Sequence, residues 1–261
     1  MAHVGVLSAF QKSGQHISYL AGSSIGAVVA ALYSFGVPLV EIEDIVASLN
    51  WKTITDFGFG KDGGLFSNQL LGKAVTNVIG NTSIEDAPIP LAITATDISS
   101  GEKVVLRSGN LKKALMATTC VPGLYAPIEI DQRFLVDGGL LENVPISPLF
   151  DMGARYVYAV DLGHGAEYRR PTTFVDVLLN AFEVAIDHNT IAQLKRADSV
   201  IGLNLSSFSR IICEDPIPLV NVGREKALEV LEHDRDITKI IVRYFLKIKR
   251  NIQELFPWVF R

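Results

Sequence analysis

Cysteine is nearly absent from this chain: Cys120 and Cys213 are the two in 261 residues, and they form no C-x-x-C pair. A disulfide framework is excluded, and a reducing, cytoplasmic compartment is the expectation. Histidine is sparse and scattered. His3, His16, His164, His188 and His233 fall singly, so no metal-ligand spacing is present and no metal is expected. An excess of basic charge is also lacking: 24 Lys and Arg stand against 28 Asp and Glu, which excludes a general nucleic-acid surface. Neither an internal repeat nor a low-complexity linker interrupts the sequence, so residues 1–261 are expected to form one domain. Apolar side chains are abundant, at 48%, enough for a substantial core.

A local absence is more informative. From Ser13 to Val40 there is no Asp, Glu, Lys or Arg. A run of that length suits a membrane span or the apolar part of a signal peptide. It also suits a strand and a helix buried together inside an α/β domain. The residues favour the second reading, because Gly22, Ser23, Ser24, Gly26, Tyr33 and Ser34 interrupt the run and only Lys12 flanks it. The stretch reads as a strand that turns through Gly22-Ser23-Ser24-Ile25-Gly26 into a helix, which stops at Gly36 with Pro38 just beyond. A G-x-S-x-G between a strand and a helix sets its serine on a sharp turn with the hydroxyl clear of the backbone. Gly22 and Gly26 are expected to keep that corner open. The helix that follows aims free N-H groups, Ile25 first, at the place where an oxyanion would form beside Ser24.

In chain order, Val4, Leu7 and Phe10 space an opening helix that ends at Gly14. After the elbow, residues 39–52 are helical. A Gly- and Phe-rich loop from Asp56 to Phe66 follows, with Phe57, Phe59, Leu65 and Phe66 as candidates to line an apolar entrance. A helix runs from Asn68 to about Val78. Ile89 to Thr96 is a buried strand with Lys103 to Arg107 as its hairpin partner. A short helix, Leu111 to Ala117, leads into an irregular Pro- and Gly-containing stretch up to Pro127. Arg133 to Val136 is a strand that delivers Asp137 into the tight turn Gly138-Gly139. Further strands are expected at Tyr156 to Val160 and Ser199 to Leu205, and helices at Thr173 to Lys195 and Val222 to Glu232. This alternation indicates an α/β sandwich. Between His233 and Arg261 seven Lys and Arg stand against three acids, and Ile237, Ile240, Ile241, Tyr244, Phe245, Ile248 and Ile252 share a helical face. Such a basic amphipathic helix packs on the core or lies on an anionic membrane surface.

A serine hydroxyl needs a base. The order Ser24, Asp137, then His164 or His188 matches the Ser, acid, His order of α/β-hydrolases. Only about 20 residues precede Ser24, however, whereas that fold places several strands before its nucleophile. A Ser-Asp dyad is the alternative, with Asp137 made more basic by burial.

At this point the chain resembles bacterial members of the patatin-like phospholipase family. The matching pieces are Ala2-His3-Val4-Gly5-Val6-Leu7, the elbow Gly22 to Ala27, Thr96-Asp97, the block Ala117 to Pro127, and Asp137-Gly138-Gly139 followed by Leu141, Asn143 and Pro145. The resemblance implies a three-layer α/β/α sandwich with a mostly parallel central sheet. It implies Ser24 as nucleophile and Asp137 as base, cleaving carboxyl esters of phospholipids or other fatty-acyl lipids through an acyl-enzyme without a cofactor. A catalytically weak module that binds lipid or a protein partner is the alternative. In that family a first strand and a glycine-rich loop, which supplies most oxyanion donors, precede the segment matching Ala2-His3. The sequence opens at that segment, so the expectation is either a start downstream of the natural one or a short form with little activity. Contact with the inner membrane surface, as a peripheral protein, is the expected mode of reaching a lipid.

Overall fold

The computed structural model describes residues 1–48, 67–165, 168, 170–208, 215–235, 245 and 247–248. The Gly- and Phe-rich loop and nearly all of the basic C-terminal helix expected from the sequence lie outside the described residues.

The chain opens with α1, Ala2–Lys12, closed by Gly14 at φ 69°. The uncharged run becomes β1, Leu20–Gly22, and α2, Ser24–Ser34, whose residues from Ala27 to Leu32 are all buried. The absence of charge is thus explained by burial. Among the described residues no helix is long and apolar enough to cross a membrane. Next come α3, Leu39–Ser48, and α4, Gln69–Ile79. Strand β2, Leu91–Asp97, is buried at all seven positions and is the centre of the sheet. It is followed by β3, Glu102–Leu106, α5, Leu111–Thr118, and the hairpin of β4, Ile128–Ile130, with β5, Arg133–Asp137. Two short helices, α6 (Gly139–Glu142) and α7 (Ser147–Asp151), precede β6, Tyr158–Asp161. Then come α8, Phe174–Leu194, β7, Ser199–Gly202, and α9, Ile217–Asp234.

The architecture is mixed α/β. Leu91 and Ile93 of β2 pack with α2 and Leu115 of α5 on one face, while Thr94 donates to the Glu142 carbonyl of α6 on the other. A strand covered on both sides carries no charge in its interior, as this one does.

The main sheet is not mostly parallel. Its order is β1-β2-β5-β4, with β3 also on β2, and β1-β2 is parallel whereas β2-β3, β2-β5 and β4-β5 are antiparallel. Short connections are the physical reason for two of these pairs, β2-β3 and β4-β5. A loop of a few residues joins only antiparallel neighbours. Asp131 and Gln132, at φ 50° and 62°, form the doubly left-handed two-residue turn that matches strand twist between β4 and β5. A separate two-stranded sheet pairs β6 with β7 in parallel.

Helix α1 lies across both sheets. Val4 and Leu7 belong to the core around α2 and β2; Ala2, Val6, Ala9 and Phe10 pack with Ile201, Leu203, Ala227 and Leu231. Its approach to α9 is backbone on backbone: a side chain on Gly5 would run into the Val220 carbonyl, and one on Gly223 into the Ala2 carbonyl. Replacing Gly5 with Val therefore forces the two helices apart. Overpacking of this kind costs about 2 kcal/mol. A lower urea midpoint with an unchanged slope is the expected result, and an unaltered midpoint contradicts the crossing.

Candidate active site

Register brings the two key residues together. Gly22 of β1 pairs with Ile93 of β2, so Ser24, two residues on, stands level with Ala95. On the other side of β2, Ala95 pairs with Asp137 at the end of β5. The elbow and the carboxylate therefore flank the central strand at one level.

Ser24 holds φ 50°, a left-handed conformation that non-glycine residues rarely adopt, so the strained corner expected from G-x-S-x-G is present. Its amide donates to Thr118 Oγ1 at 2.8 Å, and the Thr118 hydroxyl donates to the Thr94 carbonyl at 2.6 Å. Thr94 Oγ1 in turn reaches the Glu142 carbonyl at 3.2 Å, just past the Asp137 turn. One chain of hydrogen bonds thus joins the elbow, β2 and the segment after Asp137. The sequence reading had Thr118 only inside a matching block and gave Thr94 no role. Their signal was a hydroxyl on an element buried on all sides, which has to be bonded somewhere.

The two elbow glycines differ. A Cβ on Gly22 would sit 2.5 Å from Ala27 Cα, so no other residue fits. A Cβ on Gly26 meets only the His3 imidazole, at 3.5 Å, an ordinary contact. Gly26, expected from the sequence to keep the corner open, has its free side toward His3. That imidazole is neutral, its pKa lowered to about 4 by burial. Ile25 and Gly26 follow Ser24 at the positive end of α2, half-buried.

Asp137 is 2% exposed. Burial pushes its pKa up to about 6, against hydrogen bonds from the Ser24 hydroxyl and the Gly139 amide that favour the charged form. The Gly139 N-H lies 2.8 Å from Asp137 Oδ1. Backbone fixes the rest: the Asp137 amide donates to the Cys120 carbonyl at 2.9 Å. A side chain on Gly138 would overlap the Thr94 carbonyl, so glycine at 138 is required by space. Buried Glu142 anchors the segment that follows, accepting from Ser147 and pairing with Lys103 Nζ at 2.8 Å. The Cys120 thiol is pushed up to about 12 by burial and by the Asp137 charge, which makes it unreactive.

The histidines weighed as bases lie elsewhere. His164 stands 3.8 Å from Asp161 beyond β6, and His188 is exposed on α8. Among the described residues no three His, Cys, Asp or Glu gather as a metal cluster.

With this geometry in view, residues 1–150 match the model of the patatin-like phospholipase family. An uncharacterised NTE family protein of Mycobacterium tuberculosis is 37% identical over 169 residues, 64% of this chain and 46% of that protein. Lysophospholipase NTE1 of Scheffersomyces stipitis is 30% identical over 185 residues, 68% of this chain and 12% of its own length. The chain thus spans under half of the mycobacterial relative and a small part of the yeast one. The crystal structure of VipD from Legionella pneumophila superposes with a TM-score of 0.59 at 12% identity, over 89% of this chain and 64% of that one, a likeness of fold.

Two outcomes follow from the hydrogen bonds and the burial. Thr118→Val keeps the shape but leaves the Ser24 amide and the Thr94 carbonyl without their partner, at a cost of about 1–3 kcal/mol in unfolding free energy. Wild-type stability contradicts the link. For Asp137, the folded pKa of about 6 lies above the ordinary value of 3.8, so the folded chain holds the proton more tightly. The contribution of Asp137 to stability is then greatest below about pH 4 and falls as pH rises through 6, by on the order of 3 kcal/mol. Asp137→Asn removes that penalty, so urea unfolding is expected to show stabilisation at pH 8 and little change at pH 4. An equal effect at both pH values contradicts the buried carboxylate.

Proposed function

Because the chain belongs to the patatin-like phospholipase family, we propose that it is a serine acyl hydrolase that cleaves carboxyl esters of phospholipids or other fatty-acyl lipids with Ser24 and Asp137. The observation that carries this reading is the left-handed Ser24, set across β2 from the buried Asp137 carboxylate at one level of the sheet. Asp137 takes the Ser24 proton as Oγ bonds to the ester carbonyl carbon. The carbonyl oxygen becomes an oxyanion before the Ile25 amide at the positive end of α2. Collapse of the tetrahedral adduct breaks the carbon-oxygen bond of the ester, and the leaving alkoxide takes the proton from Asp137. Water then attacks the acyl-enzyme as Asp137 accepts its proton, and as the bond from the carbonyl carbon to Ser24 Oγ breaks that proton passes from Asp137 to Oγ, releasing the fatty acid and restoring both residues. Burial of Asp137 supports its role, since a carboxylate near pKa 6 is a stronger base than one at 3.8. The substrate is a lipid ester met at a membrane surface, on the inner side of the cytoplasmic membrane. The basic stretch 233–261 makes the peripheral contact.

Fluorophosphonate labelling followed by intact mass tests the dyad. Labelling is expected to require Ser24, and Asp137→Asn is expected to slow it at least about 100-fold. With a short-chain ester, kcat/KM is expected to rise with pH through about 6 and then level off, because only the ionised base accepts the proton. A folded chain that takes no label favours the non-catalytic module that binds lipid or a protein partner.

A further inference from the structure

Helix α8 is apolar on two faces. The inner face is occupied: Val175, Leu178 and Leu179 pack with the core around Cys120 and Leu124, and Ile186 lies against Gly139. Asn189 donates to the Leu140 carbonyl at 2.8 Å, and Gln193 to the Leu141 carbonyl at 2.9 Å. The opposite face carries Phe174, Val177, Val184 and Ile191, exposed by 74%, 53%, 51% and 62%. Ala181, Ala185 and Ala192 are exposed between them. An ordinary surface helix turns charged and polar residues outward, and one that is apolar all round is a buried helix. The outer face of α8 is therefore built for contact.

The spacing on that face is specific. Phe174, Val177, Ala181, Val184, His188 and Ile191 follow one another by three and four residues in turn, the seam by which two helices interlock side by side. Charge decides what covers it. Between Phe174 and Leu194 stand Asp176, Glu183 and Asp187 and no Lys or Arg, so an anionic membrane surface repels this helix. The seam is instead complementary to itself run backwards. Phe174 then meets Ile191, Val177 meets His188 and Ala181 meets Val184, each contact made twice about a two-fold axis. The ends agree: Asp176 lies in the first turn, and Lys195 and Arg196 follow the last. Antiparallel pairing brings these opposite charges, and the opposite ends of the helix dipoles, toward each other; parallel pairing sets like beside like.

We propose that a second copy of this chain docks on the outer face of α8, so that the two helices pack antiparallel about an axis between Ala181 and Val184. The helix has 21 residues and is about 31 Å long, enough for three heptads of contact. Isolated helices of that length are marginal in water, because each has to form before it can pair. α8 is already formed, held by its inner face and by the Thr173 and Asp176 capping box, so docking involves no such step. The interface also stands behind the candidate site. The inner face of the same helix holds residues 140–144 through Asn189, Thr190 and Gln193, directly after the Asp137 turn. Pairing steadies that turn in both copies, whatever reaction Ser24 performs.

Sedimentation equilibrium of the full chain tests this without catalysis. A dimer is expected at about 10 µM. Val184→Glu places an unpaired carboxylate from each copy at the centre of the contact and is expected to weaken the dimer at least about 100-fold, with Ala181→Arg doing the same. Both positions are exposed, so the far-UV circular dichroism of either variant is expected to match the parent chain. A parent chain that is monomeric at about 100 µM overturns the proposal, and so does a dimer that both variants leave intact. If that monomer floats with phosphatidylglycerol vesicles and Val184→Glu does not, the face belongs to lipid instead. Oxidation of Phe174→Cys and Ile191→Cys, each beside the parent chain, tests the direction. A mixture of the two is expected to give a disulfide-linked dimer that neither gives alone, because only the antiparallel register brings positions 174 and 191 of different copies within about 7 Å. Linkage of Phe174→Cys to itself overturns the antiparallel arrangement.

Discussion

The hydrogen bond from the Ser24 amide to the Thr118 hydroxyl is the contact on which the site depends. A serine at φ 50° is costly, of the order of 1–3 kcal/mol, and persists only where its surroundings over-determine it. Thr118 supplies that determination because its own hydroxyl is bonded to the Thr94 carbonyl of a strand buried on both faces. The strain at Ser24 is thus held by a strand buried at every position, and the same strand sets the level of Asp137 through Ala95.

The carboxylate faces an opposing demand. The proposed role as a base requires it ionised, and burial resists ionisation. The compromise is visible in its partners: the Gly139 amide and the Ser24 hydroxyl stabilise the charge, and no cation neutralises it among the described residues. An arginine in contact would make Asp137 easy to ionise but a poor base. Lys103, the nearby cation, is instead taken by Glu142.

Much of this was legible in the residues. Gly22-Ser23-Ser24-Ile25-Gly26 stood between an apolar strand and a helix with a clear stop at Gly36, and Asp137-Gly138-Gly139 ended a strand. Both signals are local. The Thr118–Thr94 link was illegible because it depends on register between segments about 24 residues apart. The short strand β4 went unseen since its turn is Asp131-Gln132, without the glycine or asparagine that usually marks such a turn. Strand direction followed from those turns, so the sheet was expected to be more parallel than it is.

The glycine-mediated crossing of α1 and α9 has a kinetic meaning. Gly5 meets Val220 and Gly223 meets Ala2, contacts between segments more than 200 residues apart. Closing so long a loop loses chain entropy before any contact repays it, and high mean contact separation slows folding. During synthesis the first helix emerges long before its partner, so its Ala2, Val6 and Phe10 face stays uncovered while some 200 further residues are made. The crossing of α1 and α9 is therefore among the last contacts to become secure.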